Sequence, residues 1–416
     1  MIKRLGLFLI VFIMASASFM FTACVQRNPD GKGSDEEIDM SKYPFFVDDA
    51  GQTDYTFDEE QTVTPYWLGN IIYNESIMPV DNGTAITAKL QYAPLNIISV
   101  RDYTLKHEYE EGTDYTVEGN VLTVVRESSV PRLTEENLRG VNVPEPYRKV
   151  DSITKVATDF VMMGPNVIYT ESSLIYGHQL FVTYAYDIKD LPKDVLPEYI
   201  GDKLPRFTGK LNAKEPAHAV IIGSSTGEGC SSSGFFNREP FMDNFITLSI
   251  DGLNRYYGSE VTLKNLSKGG TTVAWGQNST QISAIVAEQP DVLFIVFGTN
   301  ECAGGMSANM YQDHMLSLIL QVRDAVPDCE FVIFNMFTPN PVAYDTQRLS
   351  SYWTKNNAIA DTTSGVEAID LYTLSTDMLR TKKYMDVTGN GINHINDYSS
   401  RLYAMAVMSA FVDYVG

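Results

Sequence analysis

The chain has 416 residues, 44% of them hydrophobic, and a formal net charge of -21. Its length exceeds what one hydrophobic core usually organises and its apolar content is enough for two, so two folded domains are expected. The charge speaks against nucleic acid or anionic lipid head groups as partners, since repulsion would act over the whole surface, and leaves neutral or weakly charged substrates.

Residues 1–24 open with Lys3 and Arg4, run through LGLFLIVFIMASASFMF and close on small residues before Cys24. A basic start, a short apolar stretch and a small-residue end form an export signal; an uncleaved anchor is the other reading of so short a run. Phe21-Thr22-Ala23-Cys24 resembles a bacterial lipobox, which implies that Cys24 is lipidated after cleavage and that the membrane is met only through this anchor. The following VQRNPDGKGSDEEIDMSK, residues 25–42, is polar and acidic and reads as a flexible tether.

From 43 to 210 the pattern is of short β-like runs broken by Gly, Pro and Asn: AITAKLQY, NIISVRDY, TDYTVEGNVLTVVR, NVIYT and HQLFVTYAYDI. Glu118-Gly119-Asn120 reads as a hairpin turn. Many short strands without a long helix predict an all-β sandwich or jelly roll. The Pro- and Lys-rich LPKDVLPEYIGDKLPRFTGKLNAKEP then reads as the connection to the next domain.

From 215 to 416 strands and helices alternate. The runs HAVII, VTLKNL, VLFIVF, FVIFNMF and VEAIDL are uninterrupted, as parallel strands covered on both faces tend to be. Helices are expected around FMDNFITLSIDGLNRYY, NSTQISAIVAEQ, NMYQDHMLSLILQVRDAV, RLSSYWTKNNAIA and NDYSSRLYAMAVMSAFVDYV. The prediction is a three-layer α/β domain on a parallel sheet.

Four loops of this domain carry reactive or polarising groups. The first, GSSTGEGC, displays Ser224 and Ser225 after a buried strand. The second, NLSKGGTTVAWG, has Gly269 and Gly270, where backbone can approach a ligand closely. The third, FGTNECAGG, offers the side-chain amide of Asn300 to a developing oxyanion. The fourth, DVTGNGINHIND, carries His394 just before the last helix. A serine hydroxyl needs a neighbouring imidazole to take its proton, and His394 is the candidate: His107 and His178 lie in the β-rich half, His218 opens a strand and His314 lies among helical residues.

In order and spacing these segments resemble the SGNH (GDSL-type) hydrolase family over about residues 215–414, and within it secreted members assigned as carbohydrate esterases, some with an N-terminal β-sandwich. The resemblance implies a flavodoxin-like parallel sheet with Ser225 as nucleophile, His394 as base, and an oxyanion hole made by Ser225, Gly270 and Asn300. It implies an acylated, most simply acetylated, carbohydrate as substrate. Two positions depart from the family pattern. The aspartate before the nucleophile is replaced by Ser224, which becomes a rival nucleophile; alignment through Gly229-Cys230 favours Ser225. The aspartate three residues before the histidine is replaced by Gly391. Asp386, reaching back across the turn, and a backbone carbonyl orienting the imidazole in a Ser–His dyad both remain open, because either acceptor can orient the ring. Asp397 reads as a helix N-cap.

Trp275 is a candidate platform for a sugar face or a packing residue. Glu301 is expected to hold its loop together, and Glu228 with Ser231, Ser232 and Ser233 to line or cap the nucleophile loop. Beyond Cys24 three cysteines remain. Cys230 and Cys302 are the one pair to consider as a disulfide, buried thiols being the alternative, and Cys329 looks structural. No metal-ligand spacing and no phosphate or dinucleotide fingerprint appears, so no cofactor is expected. The two lost aspartates leave a second class of function open, a carbohydrate-binding surface protein with weakened catalysis, beside a lipase or thioesterase of the same fold.

Overall fold

The computed structural model describes residues 63–154, 156–164 and 166–414. The export signal, Cys24 and the tether lie outside the described residues.

The C-terminal part is built on five parallel strands, ordered Val261–Asn265, Ala217–Gly223, Val292–Val296, Glu330–Asn335 and Val366–Asp370. In chain order that is 2-1-3-4-5, the flavodoxin-like winding, whose switch point falls between the first and third strands. Val292–Val296 and Glu330–Asn335 are buried at every residue, which is why they read as unbroken apolar runs. Helices cover both faces. Phe245–Tyr257 packs with Asp397–Phe411, while Ala308–Ala325 packs with Ser279–Glu288 and Thr346–Thr362. The expected three-layer α/β domain is the fold observed.

The region before it is strand-rich. One antiparallel sheet has the order Ile71–Ile77, Leu180–Tyr186, Pro94–Arg101, Glu108–Tyr109; a second contains Tyr115–Glu118, Val121–Val124, Ile86–Lys89, Val80–Asp81 and Leu133–Thr134. The hairpin at Gly119-Asn120 pairs Glu118 with Val121, and Gly119 takes the positive φ of 59° that the turn requires. A smaller sheet joins Val167–Tyr169, Asp159–Met163 and Arg148–Lys149.

The two parts share one hydrophobic core. Ile71–Ile77 and Leu180–Tyr186 are buried at every residue, and Ile71–Ile77 packs against Tyr384–Val387 and Asp397–Phe411. All fifteen residues of Asp397–Phe411 are buried, as a helix covered on all sides must be. Polar residues in such strands need internal partners. Arg401 Nη2 donates to the Asn74 carbonyl at 2.7 Å, Ser76 Oγ donates to the Asp386 carbonyl at 2.5 Å, and Gln179 Nε2 donates to the carbonyls of Met385 and Thr388 at 2.7 and 2.9 Å.

The stretch expected to be a plain connection contains a helix, Pro205–Ala213. Pro205 starts it where no N–H is needed, and the Glu330 carboxylate accepts from the amides of Arg206 and Phe207 at 3.1 and 2.8 Å. Phe207 and Leu211 are buried against the α/β core, so the segment is part of that packing.

Candidate active site

Parallel strands deliver their following loops to one edge, and Ser225 and Asn300 both lie there, after the first and third strands. The nucleophile loop is tight. A Cβ at Gly223 would come within 2.7 Å of the Val296 carbonyl oxygen, and one at Gly227 within 2.6 Å of Ser267 Oγ. Ser225 begins a single helical turn, Ser225–Glu228, closed by Gly229 at φ 96°. Ser224 is the residue before that turn, its N–H donating to Val296 O and its carbonyl accepting from Glu228 N, and it is the Ser225 hydroxyl that meets His394.

His394 is fully buried, and its Nε2 stands 2.9 Å from Ser225 Oγ. The other ring nitrogen, Nδ1, stands 3.1 Å from Glu171 Oε1 and 3.3 Å from Ser231 Oγ. A carboxylate only accepts, so Nδ1 carries the hydrogen and the Nε2 lone pair faces the serine hydroxyl. The histidine loop is strapped by Asn390, whose Oδ1 accepts from the amides of Ile392, Asn393 and His394, each at 3.0 Å. Thr388 Oγ1 adds a bond to the His394 carbonyl at 2.8 Å.

Glu171 follows the strand Val167–Tyr169 of the β-rich part. Its Oε1 also accepts from Asn390 Nδ2 at 3.2 Å and its Oε2 from Ser231 Oγ at 2.9 Å. Burial pushes its carboxyl up, but the His394 charge and the bonds from His394, Asn390 and Ser231 outweigh it and hold the group below its ordinary value.

Both sequence expectations for the acceptor at Nδ1 are corrected. Asp386 faces the β-rich part, its Oδ1 accepting from Met78 N and its Oδ2 from Lys383 N, each at 2.8 Å. A backbone carbonyl is not needed, because a carboxylate and a hydroxyl already meet the nitrogen. Nor is Asp397 the helix cap: Asn396 accepts from Ser399 N, while Asp397 Oδ1 accepts from Ser233 N at 2.8 Å. Cys230 and Cys302 are not bridged; with Cys329 they are buried free thiols. Cys302 Sγ instead donates to the Asp345 carbonyl at 3.2 Å.

The oxyanion candidates are set by carboxylates linking neighbouring loops. Glu228 accepts from Gly269 N at 2.7 Å, fixing the glycine pair beside the nucleophile turn, and Gly270 takes φ 76°. Glu301 accepts from Val273 N at 2.5 Å and Gly298 N at 2.8 Å, as its loop-holding role requires, and burial pushes its carboxyl up to about 7. Asn300 Nδ2 donates one hydrogen to Thr271 O at 2.8 Å and has a second to give. Ser225 N–H and Gly270 N–H donate to no acceptor among the described residues. Ser232 Oγ bonds Gly229 O and Ser233 Oγ accepts from Met242 N, so the serine run caps its own loop. Trp275 is half-buried, edge-on to Phe297 with ring centroids 6.5 Å apart. Among the described residues no group of three or more His, Cys, Asp or Glu is placed to hold a metal ion, and no helix is long and apolar enough to cross a membrane.

A buried Ser–His pair at the switch point of a 2-1-3-4-5 sheet is the arrangement of an α/β serine-hydrolase domain. Residues 221–401 match the model of the GDSL-like Lipase/Acylhydrolase family, so the chain carries a GDSL-like domain over this range. No curated protein matches the chain in sequence. Among solved structures, a two-domain esterase active on acetylated mannans aligns at 15% identity over 51% of this chain and 55% of its own, with a TM-score of 0.41. An acetyl-xylooligosaccharide esterase variant from Geobacillus aligns at 15% identity over 47% of this chain and 94% of its own, with a TM-score of 0.40. A family 3 carbohydrate esterase from Clostridium thermocellum aligns at 13% identity over 46% and 93%, with a TM-score of 0.36. The alignment thus spans about half the length of the two-domain esterase.

Proposed function

We propose that the protein is a serine esterase that removes acyl groups, most simply acetyl, from carbohydrate. The observation that carries this reading is the 2.9 Å contact between Ser225 Oγ and His394 Nε2. Ser225 Oγ attacks the ester carbonyl carbon while His394 Nε2 takes its proton. The oxyanion is met by the N–H groups of Ser225 and Gly270 and by the Asn300 amide. His394 then protonates the departing sugar hydroxyl, leaving an acyl-serine. Water attacks that ester, His394 takes the water proton, and acid is released with Ser225 restored. The sugar assignment rests on the sequence resemblance and on the export signal. Export and lipid attachment at Cys24 belong to the same proposal.

The test is hydrolysis of p-nitrophenyl acetate and acetylated xylan by wild type and Ser225→Ala. The variant should lose at least about 10³-fold in kcat. Equal rates for the two proteins would overturn the reading. Rates that peak on long acyl chains would move the assignment to a lipase. Cys24→Ser should shift the activity from the membrane fraction to the soluble one.

A further inference from the structure

We propose that the β-rich part supplies the third member of the Ser225–His394 site, the Glu171 carboxylate, as the positioning residue that orients His394. The inference deepens the esterase reading and rests on it.

The histidine loop carries no acid at the place where the resemblance would put one. The residue three before His394 is Gly391, at φ 89°, a backbone conformation that favours glycine. A Cβ there would collide with the carbonyl oxygen of Ile168 and sit 3.0 Å from Ile175 Cδ1. No side chain, and so no carboxylate, fits at that position. What fills the space is the segment that carries Glu171: Ile168 covers Gly391, and Thr170 N donates to the Asn390 carbonyl at 3.1 Å. The segment that excludes a local acid therefore brings its own acid three residues after Ile168.

Glu171 is held for the task on both oxygens. Oε1 faces His394 Nδ1 and Asn390 Nδ2; Oε2 accepts from Ser231 Oγ, and Ser231 follows the nucleophile turn. Its side chain is 22% exposed, enclosed enough for a charge-assisted bond to hold the ring in one tautomer. The other charged groups around the ring have separate work. The Glu228 carboxylate is tied to Gly269 N, Asp397 to Ser233 N, and the Arg238 guanidinium lies 3.3 Å above the Tyr176 ring.

The role is to fix the Nδ1–H tautomer and to stabilise the imidazolium that forms when His394 takes the Ser225 proton. The Glu171 carboxylate stays ionised throughout, and no proton passes to it.

The experiment compares wild type, Ser225→Ala, Glu171→Gln, Glu171→Ala and Glu171→Asp on p-nitrophenyl acetate between about pH 5 and 9. Glu171→Gln and Glu171→Ala should lose on the order of 10²- to 10⁴-fold in kcat with KM within about threefold of wild type. Glu171→Asp should recover part of the loss. The acid limb of kcat/KM should move to lower pH in Glu171→Gln, because the imidazolium has lost its anion. A kcat for Glu171→Gln within about threefold of wild type, with an unmoved acid limb, overturns the inference. If Glu171→Gln fails to fold, Ser231→Ala serves in its place: it frees one carboxylate oxygen and should lower kcat with KM held, whereas an unchanged kcat counts against the proposal. Proton NMR gives a readout independent of turnover. A downfield His394 Nδ1–H resonance in wild type that vanishes in Glu171→Gln supports the contact, and its absence from wild type overturns it. A wild type that hydrolyses no ester overturns the esterase reading instead, and the NMR result still decides the Glu171–His394 contact.

Discussion

Glu75 and Lys382 meet at 2.5 Å between the β-rich and α/β parts, and neither side chain reaches solvent. Glu75 also accepts from Tyr184 Oη at 2.5 Å and Gln91 N at 2.9 Å, while Lys382 Nζ donates to the Lys89 carbonyl at 3.1 Å. Removing one charge strands the other in a low-dielectric interior. Lys382→Met should therefore cost about 3–5 kcal/mol of unfolding free energy, read by urea denaturation. The double variant Glu75→Gln, Lys382→Met should recover part of that loss. A Lys382→Met protein as stable as wild type would show that this pair does not anchor the interface.

Restoring the family aspartate should harm this protein. Gly391→Asp must place a Cβ against Ile168 O at φ 89°, so the loop or the β-rich segment has to move. The expected outcome is a loss of at least about 2 kcal/mol together with lower turnover of p-nitrophenyl acetate. A gain in activity would mean that the loop accommodates a local acid after all.

Glu301 gives stability a pH dependence whose sign follows from its raised pKa. The folded state holds this proton more tightly than the unfolded chain does, so the group contributes most at low pH. Its contribution declines as pH climbs from 4.5 to about 7. A full shift of that size corresponds to about 3 kcal/mol. Glu171, held below its ordinary value, acts in the opposite sense at lower pH. Urea midpoints at a series of pH values should fall across the Glu301 window in wild type and fall less in Glu301→Gln. Parallel curves for the two proteins would refute this assignment.

The three cysteines of the described residues should be silent in the folded state. Burial pushes the Cys302 thiol up to about 11 and the Cys329 thiol up to about 12, and Cys230 is likewise buried. A thiol must be exposed and ionised to react. Cys230, Cys302 and Cys329 should resist a disulfide reagent at neutral pH and all react in guanidinium. Reduction should leave the unfolding midpoint unchanged, and a shift would reveal a bridge.

The α/β sheet was legible because its strands are buried on both faces and therefore carry unbroken apolar runs such as VLFIVF and FVIFNMF. Ser225, Gly270, Asn300 and His394 stand out in the sequence for a related reason: the first three follow strand ends and the last precedes the final helix, where position along the chain reports position in space. Ile71–Ile77 escaped because Asn74, Glu75 and Ser76 look like a solvated turn, while in the fold the Asn74 side chain accepts from Thr183 and the Asn74 carbonyl, Glu75 and Ser76 are met from the other part by Arg401, Lys382 and the Asp386 carbonyl. Glu171 escaped more completely. It lies 223 residues before His394 in a Glu-Ser-Ser turn, one of 52 acidic residues, and nothing local separates it from a surface carboxylate. The one available signal was Gly391, a missing acid that required a replacement from elsewhere.

The carbonyl of Ile168 resting over Gly391 also bears on how such a chain can change over generations. A side chain cannot arise at 391 until the 167–171 segment withdraws, and that segment cannot withdraw without taking Glu171 from the imidazole. Neither change is tolerable as a first step. Among descendants of this chain the two places should therefore drift together, and transfer of residues 215–416 to a foreign neighbour would pass on a histidine separated from the carboxylate beside it.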